Sequence, residues 1–405
     1  MIEPSSSSPQ VARRWMRPAW FVAGIIAGLA ALGFAGHRAA QIDYHPDFVR
    51  FDPPITPEGN YYATADELCN LVRGKCRPDQ ILVIVGGNSI LLGVWQPVSD
   101  LWSVHLQEAL GDQFCVVNLA FRGSMPADGG ALIAEMLRKE YPRQIYIADE
   151  APVTAEDPIG SETYRFLFWQ AYLDDRLLPW PPRAQRAREY LTAFPNWNVA
   201  IDTLVREEPD RALHFHEFWN WLGFDHLFTV STLYAPSPPE LFKARRTFPD
   251  QEPDAGDPEW RALRYPASSQ AQELSIVLAG PDFNYRRGAD GAWELRSDVR
   301  ATMARSLADA FPDALKARVL MLIPRSSPHY RAMTTADDRV REDKAFEDTV
   351  ALWKRAGYDA MQFGRDYNDD DYGDRSHLSK FGGRKLAASV APEIKALAAR
   401  LGYLR

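Results

Sequence analysis

Hydrophobic residues gather in five short runs that show no alternation with polar residues. The runs are Ile81–Val85, Phe114–Leu119, Gln144–Ile147, Arg318–Ile323 and Tyr358–Phe363. Apolar runs of this length are typical of central parallel strands, because helices cover such strands on both faces. The pattern therefore predicts a parallel sheet of about five strands.

Helical periodicity separates these runs. Apolar residues recur at helical spacing in Val98–Leu110, which ends at Gly111, in Ala131–Lys139, and in Ala345–Ala356, which ends at Gly357. Strands that alternate with helices indicate an α/β protein with helices on both faces of the sheet.

The alternation stops between residues 151 and 315, where Trp, Pro and Arg are frequent. We predict helices over Glu162–Tyr172, Arg183–Phe194 and Ser297–Phe311, joined by irregular Pro-rich connections. We interpret the segment as a mainly helical insertion between the third and fourth strands, where a scaffold acquires a specific substrate or partner. The sheet domain is then divided into residues 81–150 and 316–405.

The N-terminal region has a different pattern. No charged residue occurs from Pro18 to Gly36, and a helix of that length spans about 28 Å, close to the bilayer core. Arg13, Arg14 and Arg17 precede it, so the positive-inside rule predicts a cytoplasmic tail of residues 1–17 and a single span of residues 18–36 in the inner (cytoplasmic) membrane. Residues 37–80 would link the span to a periplasmic body. A cleaved signal peptide and a buried helix are the alternatives.

Composition narrows the classes of function. The 405 residues carry a net charge of −8, with 46% hydrophobic and 25% charged residues, which is typical of a folded protein. The negative charge and the lack of a Lys/Arg-rich block argue against nucleic acid as a partner. Outside the cytoplasm Cys69 and Cys76 could form a local disulfide, with two free thiols as the alternative. We expect Cys115 to be a buried strand residue.

Ser89 is the first candidate for chemistry. It follows the first strand in the segment GGNSILLG, Gly86 to Gly93. Open α/β sheets bind ligands at the carboxyl ends of their strands, and an N–H near a helix N-terminus can donate to an oxyanion. The same residues would also suit an ordinary turn.

Asp374 and His377 are the second candidate, in YGDRSHLSKFGG near the last strand. A histidine suits a general base near neutral pH, and a nearby carboxylate can orient it, as in a Ser-His-Asp triad. A surface turn is the alternative reading of either motif alone. Together they are more informative, since both follow strands of one predicted sheet.

These segments resemble the conserved blocks of the SGNH/GDSL hydrolases. Gly87-Asn88-Ser89 with Gly93 resembles the first block, Arg122-Gly123-Ser124 the second, and Asp374 to Leu378 with Gly382 the last. Within this superfamily the chain most resembles the membrane-anchored DltD/AlgJ-like branch. The shared features are the N-terminal span, the insertion and the strand that ends in Ile323-Pro324. The resemblance implies a three-layer α/β/α flavodoxin-like sheet, with Ser89 as nucleophile, His377 and Asp374 as its partners, and an oxyanion hole from the backbone of Ser89 and Gly123.

Two positions depart from the family pattern. Asn88 stands where these hydrolases usually have Asp, and the third strand runs into Asp149 and Glu150 where they have an oxyanion-hole Asn. A carboxylate cannot donate to an oxyanion unless it is protonated, so we expect a slow or partner-dependent enzyme. The candidate substrate contacts are Asn88, Arg122, Asp149, Glu150 and His329.

The resemblance implies an extracytoplasmic enzyme that transfers acyl groups, acetyl or D-alanyl-like, to an envelope polysaccharide or polymer, or removes them. A multi-span membrane-bound O-acyltransferase is the expected partner. The alternatives are a non-catalytic scaffold for such an acyltransferase and a stand-alone esterase or carbohydrate deacetylase.

We expect no cofactor and no metal ion. The aromatic segment His214–Phe228 contains His214, His216 and His226, and we interpret it as core of the insertion or as a docking surface, with a zinc site as the alternative. The acidic stretch Asp366–Asp374 lacks the spacing of a calcium loop, so we interpret it as a solvated loop that leads to His377.

Overall fold

The computed structural model describes residues 9–39, 49–50, 65–127, 129–150 and 267–404. The predicted helices Glu162–Tyr172 and Arg183–Phe194, most of the insertion, and the histidines of His214–Phe228 lie outside these ranges. The chain divides into two compact units, one of residues 1–44 and 191–245 and the other of residues 45–190 and 246–405.

The described part of the first unit is one helix, α1 (Pro9–Ala39). Its segment Pro18–Arg38 is long and apolar enough to cross a membrane or to be a signal sequence. Trp20, Phe21 and Phe34 are 74%, 70% and 68% exposed. Exposed apolar side chains of this size are unfavourable in water, and both membrane spans and signal sequences carry them.

The second unit is built on a five-stranded parallel sheet. Its strands are β1 (Ile81–Val85), β2 (Phe114–Asn118), β3 (Gln144–Asp149), β6 (Val319–Pro324) and β7 (Asp359–Phe363), in the order β2-β1-β3-β6-β7. All four neighbouring pairs are parallel. The prediction of an α/β protein with a parallel sheet is confirmed, and each strand coincides with one predicted apolar run to within two residues.

The remaining elements surround the sheet. A two-stranded antiparallel hairpin joins β4 (Tyr285–Arg287) to β5 (Trp293–Leu295). The helices are α2 (Ala65–Lys75), α3 (Ser89–Leu92), α4 (Trp102–Leu110), α5 (Gly129–Leu137), α6 (Ala267–Asn284), α7 (Ser297–Ala308), α8 (Asp313–Lys316), α9 (Pro328–Met333), α10 (Ala336–Arg355) and α11 (Lys380–Arg400).

Alternate residues of the strands face opposite layers of helices. Ile81, Val83 and Val85 of β1 share one core with residues of α4 and α11 such as Trp102 and Ile394. On the other face, Tyr146 packs against Phe311, which also contacts Trp353 of α10. Each buried aliphatic or aromatic side chain contributes about 1.5–3 kcal/mol of transfer free energy, so these layers fix the carboxyl edge of the sheet.

The cysteine pairing differs from the sequence expectation. A disulfide joins Cys76 to Cys115 of β2, while Cys69 is buried and not part of a disulfide. Cys69 lies within α2 and Cys76 follows its last residue, about 10 Å further along the helix axis at 1.5 Å per residue. Two cysteines so far apart cannot form a disulfide while the helix is intact. Both alternatives for this pair, a Cys69–Cys76 bridge and two free thiols, are therefore wrong, because Cys76 is bonded to Cys115.

Candidate active site

The serine turn (Gly86–Gly93) connects β1 to the short helix α3. Gly87 has a φ of 84°, a conformation that favours glycine. The Asn88 side chain caps α3 by accepting from the Ile90 N–H at 2.9 Å, which makes Ser89 the first helical residue. The strand, the glycine turn and the cap together place Ser89 at the carboxyl edge of the sheet.

The histidine loop (Tyr372–Ser379) reaches the same edge from the last strand. Tyr372 and Leu378 form an antiparallel bridge, and the Gly373 N–H donates to the His377 carbonyl at 2.8 Å. At the end of the loop the Ser379 N–H donates to the carbonyl of Asp371 at 2.9 Å. The loop is therefore closed on itself by backbone hydrogen bonds.

The two segments bring Ser89, His377 and Asp374 together. His377 Nε2 lies 2.7 Å from Ser89 Oγ, and His377 Nδ1 lies 2.6 Å from Asp374 Oδ2. Ser89 and His377 are 288 positions apart in the sequence, so tertiary structure alone creates this contact. The geometry matches the order of nucleophile, base and orienting acid in Ser-His-Asp hydrolases.

Asp374 is held by four donors. Its Oδ2 accepts from His377 Nδ1 and from Trp95 Nε1 at 2.8 Å, and its Oδ1 accepts from the backbone N–H groups of Ser376 and His377 at 2.9 and 2.8 Å. Burial raises the pKa of this carboxyl, but the charge of His377 and these hydrogen bonds outweigh burial, so its pKa lies below the ordinary value. Asp374 is therefore ionised when it orients His377.

Asp149 has the opposite environment. It ends β3 fully buried, its Oδ1 accepts from the Asn88 N–H at 2.9 Å, and its Oδ2 has no partner among the described residues. Burial raises the pKa of Asp149 to about 7, against the hydrogen bond from Asn88 and the charge of His377. The last residue of the third strand thus anchors the serine turn through a carboxyl group that exchanges its proton near neutral pH.

The predicted oxyanion donors are the N–H groups of Ser89 and Gly123. Among the described residues neither N–H has an acceptor. Gly123 is exposed with a φ of 70°, and the Phe121 N–H donates to the carbonyl of Gly87 at 3.1 Å. This bond ties the loop after β2 to the serine turn, so both free donors belong to the same edge of the sheet.

The other predicted contacts lie in different environments. Arg122 is exposed, whereas the buried Glu150 accepts from Trp353 Nε1 at 2.6 Å. His329 packs edge-on against Tyr330 at the start of α9, and the Ser327 N–H just before it donates to the carbonyl of Arg375 at 2.8 Å. The segment that carries His329 therefore contacts the histidine loop.

Trp95 is a site residue that the sequence does not reveal. It lies six positions after Ser89, yet its indole contacts Asp374, 279 positions away. A lone Trp after a turn glycine has no periodicity or motif that predicts such a contact. Among the described residues no group of three or more His, Cys, Asp or Glu side chains could hold a metal ion.

Comparison with known proteins adds little to this geometry. No family model and no curated protein matches the chain. Among solved structures, the chain is similar to the native aryl esterase of M. smegmatis, with 12% sequence identity and a TM-score of 0.28 over 78% of this chain and 99% of the esterase. We draw no functional conclusion from a similarity at that level, and the fold assignment rests on the strand order of the chain itself.

Proposed function

We propose that the protein is an SGNH-type serine acyl-ester enzyme, anchored in the inner membrane by α1, with its second unit outside the cytoplasm. The observation that carries the proposal is the hydrogen-bonded series Ser89 Oγ, His377 Nε2, His377 Nδ1 and Asp374 Oδ2, with successive contacts of 2.7 and 2.6 Å. A nucleophile, a base and an orienting acid within hydrogen-bonding distance form the arrangement that activates a serine.

In the first half-reaction Ser89 Oγ attacks the acyl carbonyl while His377 Nε2 accepts the hydroxyl proton. The N–H groups of Ser89 and Gly123 donate to the oxyanion. When the bond between the acyl carbon and the leaving oxygen breaks, His377 returns the proton to that oxygen. Asp374 stays ionised throughout and stabilises the imidazolium.

In the second half-reaction an acceptor hydroxyl attacks the acyl-serine. His377 removes the acceptor proton and then protonates Ser89 Oγ as the serine ester breaks. Water as the acceptor gives an esterase or deacetylase, and a hydroxyl of an envelope polysaccharide or polymer gives an O-acyltransferase. The SGNH-like motifs and α1 favour the polymer, with a multi-span acyltransferase as the source of the acyl group.

Substitution of Ser89 tests the proposal. The full chain in detergent should react with a fluorophosphonate at Ser89 and hydrolyse a short-chain aryl acetate, and Ser89→Ala should lose both activities. Ser389→Ala is the matched control, since Ser389 is exposed on α11 and its hydroxyl donates to the helix carbonyl of Lys385 at 2.8 Å. Turnover and labelling that persist in Ser89→Ala would contradict the mechanism.

A second function is favoured by Asp149. Where SGNH enzymes have an Asn donor, this chain has a buried carboxyl that already accepts from Asn88. A site with fewer oxyanion donors would suit a scaffold that binds an acyltransferase without turnover. If the protein is a scaffold, the fluorophosphonate should leave Ser89 unmodified although the protein is folded. If it is an enzyme, Ser89 should be labelled.

A further inference from the structure

Trp95 has an unusual backbone conformation. Its φ is 71°, and it is the only non-glycine residue with a positive φ among the described residues. A bulky side chain is unfavourable in this region, and residues held there concentrate at functional sites. The conformation therefore requires a compensating contact.

The contact is with the histidine loop. The Trp95 indole N–H donates to Asp374 Oδ2 at 2.8 Å, the same oxygen that lies 2.6 Å from His377 Nδ1. The ring also packs on Gly373, where a Cβ atom would lie 2.6 Å from Trp95 Cδ1. Trp95 thus touches the loop at the acid itself and at the preceding residue.

The next residue, Gln96, fixes the other end of the loop. Its fully buried side chain donates from Nε2 to the Leu378 carbonyl at 3.2 Å, and its Oε1 accepts from the Trp102 N–H at 2.9 Å. Two consecutive residues that follow the serine turn therefore hold both ends of the segment that carries Asp374 and His377.

We propose that Trp95 is a positioning residue whose indole N–H fixes the Asp374 carboxylate in the orientation that presents His377 to Ser89. The proposal rests on the proposed function of the same site. An indole N–H can only donate, so it keeps Asp374 Oδ2 pointing toward Trp95 and His377. This contact opposes rotation of the carboxylate away from His377. The positive φ of Trp95 turns its side chain toward Asp374. A residue six positions after Ser89 can therefore contact the acid.

The expected readout follows from what the substitution leaves in place. The indole N–H is one of four donors to Asp374, and the bonds from His377 Nδ1 and from the backbone N–H groups of Ser376 and His377 remain without it. Removing the indole N–H therefore loosens the orientation of the carboxylate without removing the acid. A positioning role then predicts a fall in kcat with little change in KM.

The test compares Trp95→Phe with Trp293→Phe in the full chain. Trp293 Nε1 donates to Asp337 Oδ1 at 3.1 Å, so the control also loses an indole-to-carboxylate bond, here on the β4–β5 hairpin. Because hydrogen bonds to charged groups are the stronger ones, we expect Trp95→Phe to lower kcat about 10- to 100-fold with little change in KM. Trp293→Phe should change neither kcat nor KM.

An isostere separates positioning from folding. β-(3-Benzothienyl)alanine at position 95 keeps the bicyclic shape and lacks the N–H, and it should reproduce the loss of kcat with unchanged KM and unchanged Tm. Wild-type kcat in both Trp95 variants would overturn the inference, even where Ser89→Ala abolishes activity. Activity that survives in Ser89→Ala would instead overturn the proposed function.

Discussion

The serine turn and the histidine loop meet at one site but are held in different ways. The turn takes its shape from its own residues, through the positive φ of Gly87 and the Asn88 cap, and Asp149 of β3 anchors it. The histidine loop is closed by its own backbone hydrogen bonds and is also held by side chains from a distant segment, since Trp95 donates to Asp374 and Gln96 donates to Leu378. Local geometry therefore shapes the turn of the candidate nucleophile, whereas side-chain packing from a distant segment positions the candidate base.

The difference extends to protonation. The carboxyl beneath the serine turn, Asp149, has a pKa raised to about 7 by burial, while the carboxyl of the histidine loop, Asp374, has a pKa below the ordinary value because four donors and the charge of His377 outweigh its burial. One carboxyl therefore exchanges its proton near neutral pH, and the other remains a carboxylate. Two acids at one site can differ in this way because only one of them is surrounded by donors.

The largest expected effect comes from breaking the series that joins the two segments. Ser89→Ala and His377→Gln should each lower kcat by about 10³-fold or more, and the double variant should be no slower than either single variant, because the groups act as a unit. Single-turnover ester cleavage measures this. Multiplicative losses in the double variant would show that the two residues act independently.

Two glycine substitutions, one in the serine turn and one in the histidine loop, should have effects of intermediate size and should affect stability differently. Gly87→Ala forces a positive φ on alanine and brings a Cβ against Asp149 Oδ1 and to 2.9 Å from its backbone nitrogen, so we expect a loss of about 2–4 kcal/mol in unfolding free energy together with activity. The three atoms nearest to an added Cβ in Gly373→Ala all belong to the Trp95 side chain, including its Cβ at 2.9 Å, and none is backbone. It should lower kcat with a much smaller fall in Tm.

Thermal unfolding and kcat, measured on both glycine variants, test whether Gly87→Ala loses much more stability than Gly373→Ala. Equal falls in Tm for Gly87→Ala and Gly373→Ala would contradict the distinction between a locally fixed turn and a packed loop.

The smallest effect on activity is expected from Asp149→Asn, which keeps an acceptor for the Asn88 N–H. The pKa of Asp149 is raised from 3.8 to about 7 in the folded protein, so the native state binds more protons than the unfolded state between these values. The protonated Asp149 carboxyl therefore contributes to the free energy of unfolding at low pH, and this contribution is lost as pH rises through about 7. The variant should therefore gain stability over the wild type from pH 4 to pH 7, by up to a few kcal/mol.

Unfolding in denaturant at several pH values measures this gain. A stability difference between Asp149→Asn and the wild type that does not vary with pH would refute the raised pKa. Asn118→Asp is unsuitable as a control, because the buried Asn118 side chain donates to the Leu91 carbonyl at 3.0 Å.

The strands β1, β2, β3 and β6 were predictable because all their residues are buried, and a strand covered by helices on both faces requires an apolar run such as Ile81–Val85. The start of α10 was not. This helix begins at Ala336 rather than Ala345, because its first half is polar and is stabilised by a capping box of Thr335 and Asp338 instead of by core contacts.

For the candidate site, motifs point to Ser89, Asp374 and His377, because turn glycines and an Asp-x-x-His spacing are visible locally. Trp95 and the Cys76–Cys115 pairing are not visible, since each depends on which distant segments the sheet brings together. The expected oxyanion donors, substrate contacts and acyltransferase partner remain predictions.

The disulfide has a consequence for when the protein becomes stable. Cys76 and Cys115, 39 positions apart, close a covalent ring that contains β1, the serine turn and α4. In chain-entropy models a ring of this size stabilises the fold by about 4 kcal/mol. Cytoplasmic thiols are kept reduced, so under the proposed placement of the second unit outside the cytoplasm the ring would close only after export. The segment that carries Ser89 would then reach its full stability only outside the cytoplasm, which would link maturation of the protein to its crossing of the membrane.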